Sequence, residues 1–480
     1  MVRFWLVLLI TAVVVSSVSC GSNQATATSG IQPSAPVGPL SADCTLPDSA
    51  LTAGTTRVYI ALRNGQDGSG HSADDARDGS TATSFDTILR CYAEGCASPA
   101  VAKTDNLMVC LGPGTFATRG NYDARIDTPH LTPNGFTLGN GWKIHGQGAA
   151  NTTVQLSDFL PITDPSNLQG LPVGSGANVV FSTQSHSVSQ VEISDLTVDA
   201  NYPALKQTAN ANGTFALNLE AIHLWSSQGG NWIHNVNVIN AAGEIGGFDE
   251  RFETSTVMII SAVANSKPSD SSGNVIENVT MSGFGGGACT AMVMANATGE
   301  VRRNLITGYQ IGYGGWTMGA VHFHDNVAQD TIYGFNIDAL ANDGVIIESN
   351  QINNPHSYGI VVGGGGTYRN ITVSGNTIRM GAGATGILLQ GNVTNSVVKG
   401  NTIVAGSGAA GGTGILNFSN LAGAGANANN VYQSNVIDNA LKVVFQAPSL
   451  RTTNCAFGNR DQNGNPRGDL PDTSGVPCVP

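Results

Sequence analysis

Val301-Arg302-Arg303-Asn304-Leu305-Ile306, Phe323-His324-Asp325-Asn326-Val327-Ala328 and Ile347-Glu348-Ser349-Asn350-Gln351-Ile352 are three settings of one pattern. An apolar residue is followed by two others, then Asn or an aliphatic residue, one more, and a second small or apolar residue. The same pattern reads Ile193-Leu196-Val198, Ile233-Val236-Val238 and Ile276-Val279-Met281 upstream, and Val373-Asn376-Ile378, Val398-Asn401-Ile403 and Tyr432-Asn435-Ile437 downstream. Its last apolar position advances by 40, 43, 25, 22, 24, 26, 25 and 34 residues.

A period near 24 over 281–403 is too long for heptads, and helical repeats need 30 or more residues of 3.6-periodic pattern. Here the apolar runs are short, alternate, and sit between Gly and Asn, so each period reads as one coil of short strands. Coils of this kind stack about 4.8 Å apart, the spacing of strands in a sheet. At the corner between two strands one residue needs positive φ, which Asn tolerates better than other non-Gly residues. Asn304, Asn326, Asn350, Asn376, Asn401 and Asn435 are therefore expected to take that conformation and to stack as an amide-bonded column with a structural role.

Composition agrees with many strands joined by tight turns. Charged residues are 11% of the 480, against about 25% in an average soluble protein. Glycine is abundant, at 61 residues, and the net charge of -12 argues against a nucleic-acid partner, whose phosphates need clustered Lys and Arg. Residues 1–20 read as an export signal: Arg3, an apolar run over 4–15, then small residues. Ser17-Val18-Ser19-Cys20-Gly21 resembles a bacterial lipoprotein cleavage site with Cys20 as the lipidated residue; Ser17 departs from its usual aliphatic residue, so ordinary signal cleavage is the alternative. The only membrane association expected is through that anchor, in an exported, envelope-bound or secreted monomer. Residues 21–50, rich in Ser, Ala, Thr and Pro, read as a disordered linker.

Seven cysteines remain. Two disulfides are expected among Cys44, Cys91, Cys96 and Cys110, with the pairing open, and one between Cys455 and Cys478 in a stapled tail, 451–480. Cys289 reads as a buried free thiol.

Ahead of the repeat, 84–94 carries Phe85, Ile88, Leu89 and Tyr92 at helical spacing, with Ser84 as a candidate N-cap. The strand Leu107-Met108-Val109-Cys110-Leu111 and the turn Gly112-Pro113-Gly114-Thr115-Phe116 follow. This order resembles the N-terminal cap of secreted parallel β-helices, where the first coil would otherwise expose its interior and its unpaired backbone. Taken with the repeat, the chain resembles the pectate-lyase-like superfamily. The resemblance implies an all-β, single-stranded right-handed parallel β-helix over 51–450, with three strands per coil, about 10–12 coils and an N-terminal capping helix.

That superfamily holds polysaccharide lyases, hydrolases, epimerases, esterases and surface proteins, so the fold does not select a chemistry. The resemblance does place a substrate groove on the outer face of one sheet. Its expected strands are 221–225, 252–262, 290–296, 315–318, 333–338, 358–362, 385–390 and 413–418. Alternation turns His223 and Trp225 outward, and Asn336 and Asp338 likewise. Trp225 is a sugar-stacking candidate unless a neighbouring loop covers it.

The insertion Glu244-Ile245-Gly246-Gly247-Phe248-Asp249-Glu250-Arg251-Phe252-Glu253 concentrates five charges beside that face. Asp249, Glu250 and Glu253 could supply paired carboxylates for hydrolysis, or oxygen ligands for Ca²⁺. Arg251 or His223 could abstract a proton in an elimination. The bland reading is a solvated loop with an internal ion pair. Val321-His322-Phe323-His324-Asp325 belongs to the column His234, Glu277, Arg302, His324, Glu348, Ser374, Lys399, which reads as an ion-pair ladder rather than a metal site.

The Asn-Thr-Asp, Gly-His-Gly and Arg-Ile-Lys signatures of polygalacturonases and the Trp-x-Asp-His of common pectate lyases are absent. In Asn354-Pro355-His356 an Asn replaces the Asp of the alginate-epimerase motif. Two readings follow. One is an extracellular polysaccharide lyase or glycoside hydrolase with Asp249, Glu250, Arg251, Glu253 and His223 as catalytic candidates. Trp225, Asn336 and Asp338 would then bind the polysaccharide, whose residues include uronic acids in one version. The other is a non-catalytic β-helix binding glycans or partners through the same face.

Overall fold

The repeat winds into a right-handed parallel β-helix. The computed structural model describes residues 42–467 apart from 98–99, 122–134, 162–174, 184–186, 215, 226, 245–254, 262–265, 284–289, 339–340, 419–426 and 446–452. The described strands form a 23-stranded sheet, a 13-stranded sheet and one small pair. The larger sheet is two ladders joined at the Asn corner. In its second ladder Val238, Met281, Ile306, Ala328, Ile352, Ile378, Ile403 and Ile437 stand in one register, every one fully buried. The 13-stranded sheet supplies the facing wall, with Ile222, Val257, Met292, Tyr313, Phe335, Ile360, Ile387, Ile415 and Val443 in register inside. One continuous apolar core runs between them.

The Asn column is present, with a different backbone from the one expected. Positive φ belongs to the residue before each Asn: Arg303, Asp325, Ser349, Gly375, Gly400 and Ser434. The Asn itself turns its side chain into the corner, at most 1% exposed. Asn350 Nδ2 donates to Asn376 Oδ1 at 3.0 Å and to Phe323 O at 2.9 Å, while its Oδ1 accepts from Asn326 Nδ2 at 2.9 Å and Asn326 N at 2.9 Å. The amide therefore satisfies buried backbone that a closing corner would leave orphaned. The column extends one coil beyond the repeat, from Asn435 to Asn459.

A second column was not visible in the repeat. Gly312, Gly334, Gly359, Gly386 and Gly414 stack where the chain enters the 13-stranded sheet. A Cβ on Gly359 would lie 2.5 Å from Gly386 O and 2.9 Å from Ile378 Cγ2, so only glycine fits that approach.

The capping helix is Ala82–Glu94, with Phe85, Ile88 and Leu89 buried against the first coils. Its N-cap is Thr81 rather than Ser84; Ser84 is the third helical residue and completes the capping box from there. Disulfides join Cys44 to Cys110 and Cys91 to Cys96, which resolves the open pairing. Cys44 and its neighbours 42–50 thereby lie against the cap. Cys455 is disulfide-bonded too, and its strand Cys455–Phe457 continues the stack. Cys478, Cys289 and the lipidation candidate Cys20 lie outside the described residues. Among the described residues no helix is long and apolar enough to cross a membrane.

Candidate functional site

The outer face of the 13-stranded sheet is built by strands Ala216–Leu224, Ser255–Ile260, Thr290–Ala295, Ile311–Gly315, Tyr333–Ile337, Tyr358–Arg369, Thr385–Thr394, Thr413–Phe418 and Lys442–Phe445. Two strands differ from expectation: Ile311–Gly315 replaces 315–318, and Lys442–Phe445 adds a ninth. Tyr313 explains the shift, since its ring belongs to the core and its hydroxyl donates to Asn304 O and Val327 O, each at 3.0 Å. The register puts His223, Met258, Val293, Gly314, Asn336, Val361, Leu388 and Leu416 in one outward row.

His223 does point outward from Ile222 and Leu224, but it is only 1% exposed. Its Nε2 lies 2.7 Å from Oε2 of Glu220, which is fully buried. Sequence alternation missed Glu220 because the strand changes parity. Leu217, Leu219 and Ala221 face the core, and then Ile222 and Leu224 do. The step between 221 and 222 brings residues 220 and 223 to one side. Asn218 Nδ2 donates to Glu220 Oε1 at 3.1 Å, fixing the carboxylate from behind. The carboxylate and the imidazole thus form one buried pair on the outward side of the strand.

Trp225 is half-buried and packs on Met258, Ile260, Val293 and Ala295 from one side, and Trp316 meets the same patch. Trp316 lies within the expected strand 315–318 but is not among the candidates singled out there; it follows the observed strand Ile311–Gly315. The two tryptophans follow register-equivalent residues three coils apart, about 14 Å along the axis. Farther along, Asn336 is 8% exposed. Asp338 lies over the run Gly363-Gly364-Gly365-Gly366, where a Cβ on Gly364 would sit 1.8 Å from Asp338 Oδ1. Tyr368 Oη is 3.5 Å from that oxygen. Burial, with the neighbouring Tyr358 and Asp338, pushes the Tyr333 hydroxyl up to about 12, so it stays protonated at neutral pH.

Asp249, Glu250, Arg251 and Glu253 lie outside the described residues. The first charge of that stretch is described and is structural. Glu244 accepts from Tyr202 Oη at 2.5 Å, Lys206 Nζ at 2.6 Å and Leu217 N at 2.7 Å. Tyr202 and Lys206 belong to the helix Tyr202–Ala211, which fills the 40-residue step. The site thus brings together His223, Trp225 and the newly recognised Glu220 and Trp316; Asn336 and Asp338 stand at its far end.

The His322–His324 cluster sits on the other sheet, and the register His234–Glu277–Arg302–His324–Glu348–Ser374–Lys399 is the one expected. Arg302 Nε meets Glu277 Oε2 at 2.9 Å as expected, whereas Glu348 Oε2 meets His322 Nε2 at 3.2 Å and His324 Nδ1 meets Asp325 Oδ2 at 2.8 Å. At its start burial favours the neutral form of Glu192. Its hydrogen bond from His234, with His145 and Lys143 close by, outweighs that and holds the carboxyl down at about 2. No grouping with the makings of a metal site occurs among the described residues.

No protein-family model matches the chain, and no curated protein matches it in sequence. Solved structures do resemble it. The mannuronan C-5 epimerase AlgE6 A-module of Azotobacter vinelandii is 17% identical over 79% of this chain and 95% of its own, with a TM-score of 0.47. The tailspike of E. coli bacteriophage HK620, in complex with a pentasaccharide, is 11% identical over 79% and 62%, at 0.46. The surface adhesin PfbA of Streptococcus pneumoniae is 13% identical over 79% and 96%, at 0.42. The likeness extends to the course of the backbone, and no activity passes with it.

Proposed function

We propose that the protein is exported and acts on an extended polysaccharide lying along the outer face of the 13-stranded sheet. In this reading Trp225 and Trp316 stack on sugar rings, and His223 transfers the proton. The observation that carries it is the His223–Glu220 pair, 2.7 Å apart and at most 1% exposed, on that face. A buried carboxylate–imidazole pair contributes little to stability against an apolar replacement, because desolvating both groups offsets their attraction. Paired, desolvated titratable groups cluster where proton transfer is needed.

Elimination on a uronate suits this set better than hydrolysis. Hydrolysis needs two carboxylates about 5–10 Å apart across the glycosidic bond. Glu220 and Asp338 lie near rows four coils apart, about 19 Å along the axis. Proton abstraction needs one positioned base and a group that neutralises the uronate. His223, oriented by Glu220, fits the first role; Arg251, or a Ca²⁺ held by Asp249, Glu250 and Glu253, is our candidate for the second. The disulfides fit an oxidising, extracytoplasmic compartment, with Cys20 as the proposed lipid anchor.

The burial of the dyad favours a second reading, a non-catalytic glycan binder in which the pair only shapes the wall. A polysaccharide panel scored for reducing ends and for ultraviolet absorbance of the unsaturated product separates the two. Both signals rising together mean elimination, and reducing ends alone mean hydrolysis. With an active substrate, His223→Ala should lower kcat by ~10²-fold or more, as should Arg251→Ala. Trp225→Ala should act mainly on KM, and only for oligosaccharides long enough to span about 14 Å. Binding without turnover on every glycan would establish the binder instead.

A further inference from the structure

Trp232 is exposed where the fold gives a reason to bury it. It is 39% exposed, and among the described residues Leu46 and Leu62 are the other exposed large apolar side chains. It belongs to the strand Trp232–Ile239 of the 23-stranded sheet, on a different face of the coil from the groove. Two contacts hold the indole still. One face stacks on the His234 ring at 3.8 Å between centroids, and its Nε1–H donates to Glu277 Oε1 at 2.9 Å. Glu277 is itself fixed by Arg302 and Arg303. His234 is fixed by Glu192, at 3.1 Å.

On the N-terminal side of the strand the chain turns through two glycines, with the Gln190 side chain of the adjacent coil beside Gly230. Gly229 and Gly230 form that corner, and a Cβ on Gly229 would lie 2.2 Å from Ser272 O, so the backbone packing there admits only glycine. The charges bordering the ring balance: Lys143, Arg302 and Arg303 against Glu192, Glu277 and Glu300, all within ion pairs. Arg303 keeps 53% of its side chain exposed at the rim of the ring.

A flat, immobilised aromatic face with no net field around it and hydrogen-bonding groups at its edge matches the apolar face and hydroxyl rim of a neutral pyranose. A polyanion would need surplus cations, which this surface lacks. We propose that Trp232 is a docking platform for a neutral glycan, separate from the groove. Through it the protein holds a polysaccharide on one face while the other face is free to engage a second chain.

The test uses the full chain in affinity electrophoresis against gels containing a mixed-linkage β-glucan, a xylan, a dextran or, as the acidic control, a polyuronate. Retardation by at least one neutral glycan is expected. It should fall tenfold or more in Trp232→Ala and less in Trp232→Phe, which keeps an aromatic face, and it should persist in Trp225→Ala. Circular dichroism of each variant checks folding; if Trp232→Ala does not fold, a severalfold loss in folded Trp232→Phe carries the test. Undiminished retardation in folded Trp232→Ala would overturn the proposal. So would retardation by the polyuronate alone, no retardation by any neutral glycan, or a dimer of the wild type that Trp232→Ala dissolves, which would make this face a protein interface.

Discussion

Asn350 makes four hydrogen bonds inside the corner, two as donor and two as acceptor. Replacing it by Leu, the residue that Leu196 contributes at the same position of an earlier coil, keeps the volume but strands Asn326 N and one Asn326 Nδ2 proton, the other staying on Val301 O. Each buried polar group left unpaired costs about 1–3 kcal/mol, so Asn350→Leu should cost about 3 kcal/mol. At Asn304, the head of the column, Oδ1 accepts only from Val279 N, and Asn304→Leu should cost about 1 kcal/mol less. Urea denaturation of the two variants measures the difference; equal costs would mean that the column does not act as a bonded chain. The Asn positions are legible in the sequence because one residue type recurs at one phase. Which residue bears the positive φ is not, since Arg303, Asp325 and Ser349 share no side-chain property: the corner selects them only through the backbone.

At the scale of elements, the capping helix carries a pH dependence of its own. Asp86 is 2% exposed and accepts from Thr118 Oγ1 at 2.6 Å and Arg119 N at 3.0 Å. Burial nonetheless dominates and pushes its carboxyl up from 3.8 to about 6. A folded value above the unfolded one means that the carboxyl disfavours folding only once ionised. The contribution of Asp86 to stability is therefore most favourable below pH 4, falls between pH 4 and 6, and levels off above. The rise from 3.8 to about 6 corresponds to about 3 kcal/mol. Asp86→Asn should flatten this window in denaturant titrations at pH 4, 5, 6 and 7, and an unchanged slope would assign it elsewhere. The helix itself is legible from its 3.6-residue spacing. The groove strands are legible too, except Ile311–Gly315, where Gly314 and Gly315 break the alternation, and Lys442–Phe445. Glu220 was hidden by the parity step at residues 221–222, which period-2 reading cannot anticipate.

For the whole molecule, each coil touches only its neighbours, so stability is a sum of local terms and damage stays near its origin. The Cys44–Cys110 bond spans a sequence separation of 66 residues, for which chain entropy gives about 4 kcal/mol. Cys44→Ser with Cys110→Ser should raise hydrogen exchange in the cap and first coils and leave the coils around Asn401 unchanged. Loss of protection throughout would mean that the stack melts as one unit. The architecture was legible because it repeats, and repetition averages out local irregularity. The site was less so because function occupies the places where repetition stops: the helix Tyr202–Ala211, the Glu244 anchor beside it, and the buried dyad one strand away.

The corner column also constrains how such a chain can change over generations. From Asn304 to Asn435 each coil hands one amide to the next, and the strands of these coils in the larger sheet are paired on both sides. A gene that lost the codons for 350–375 would join Ser349 to Asn376 and preserve each handover, shortening the molecule by one coil, about 4.8 Å. A loss of half as many would break both ladders at once. Length in this protein is thus inherited in whole turns, while loops between strands can grow one residue at a time.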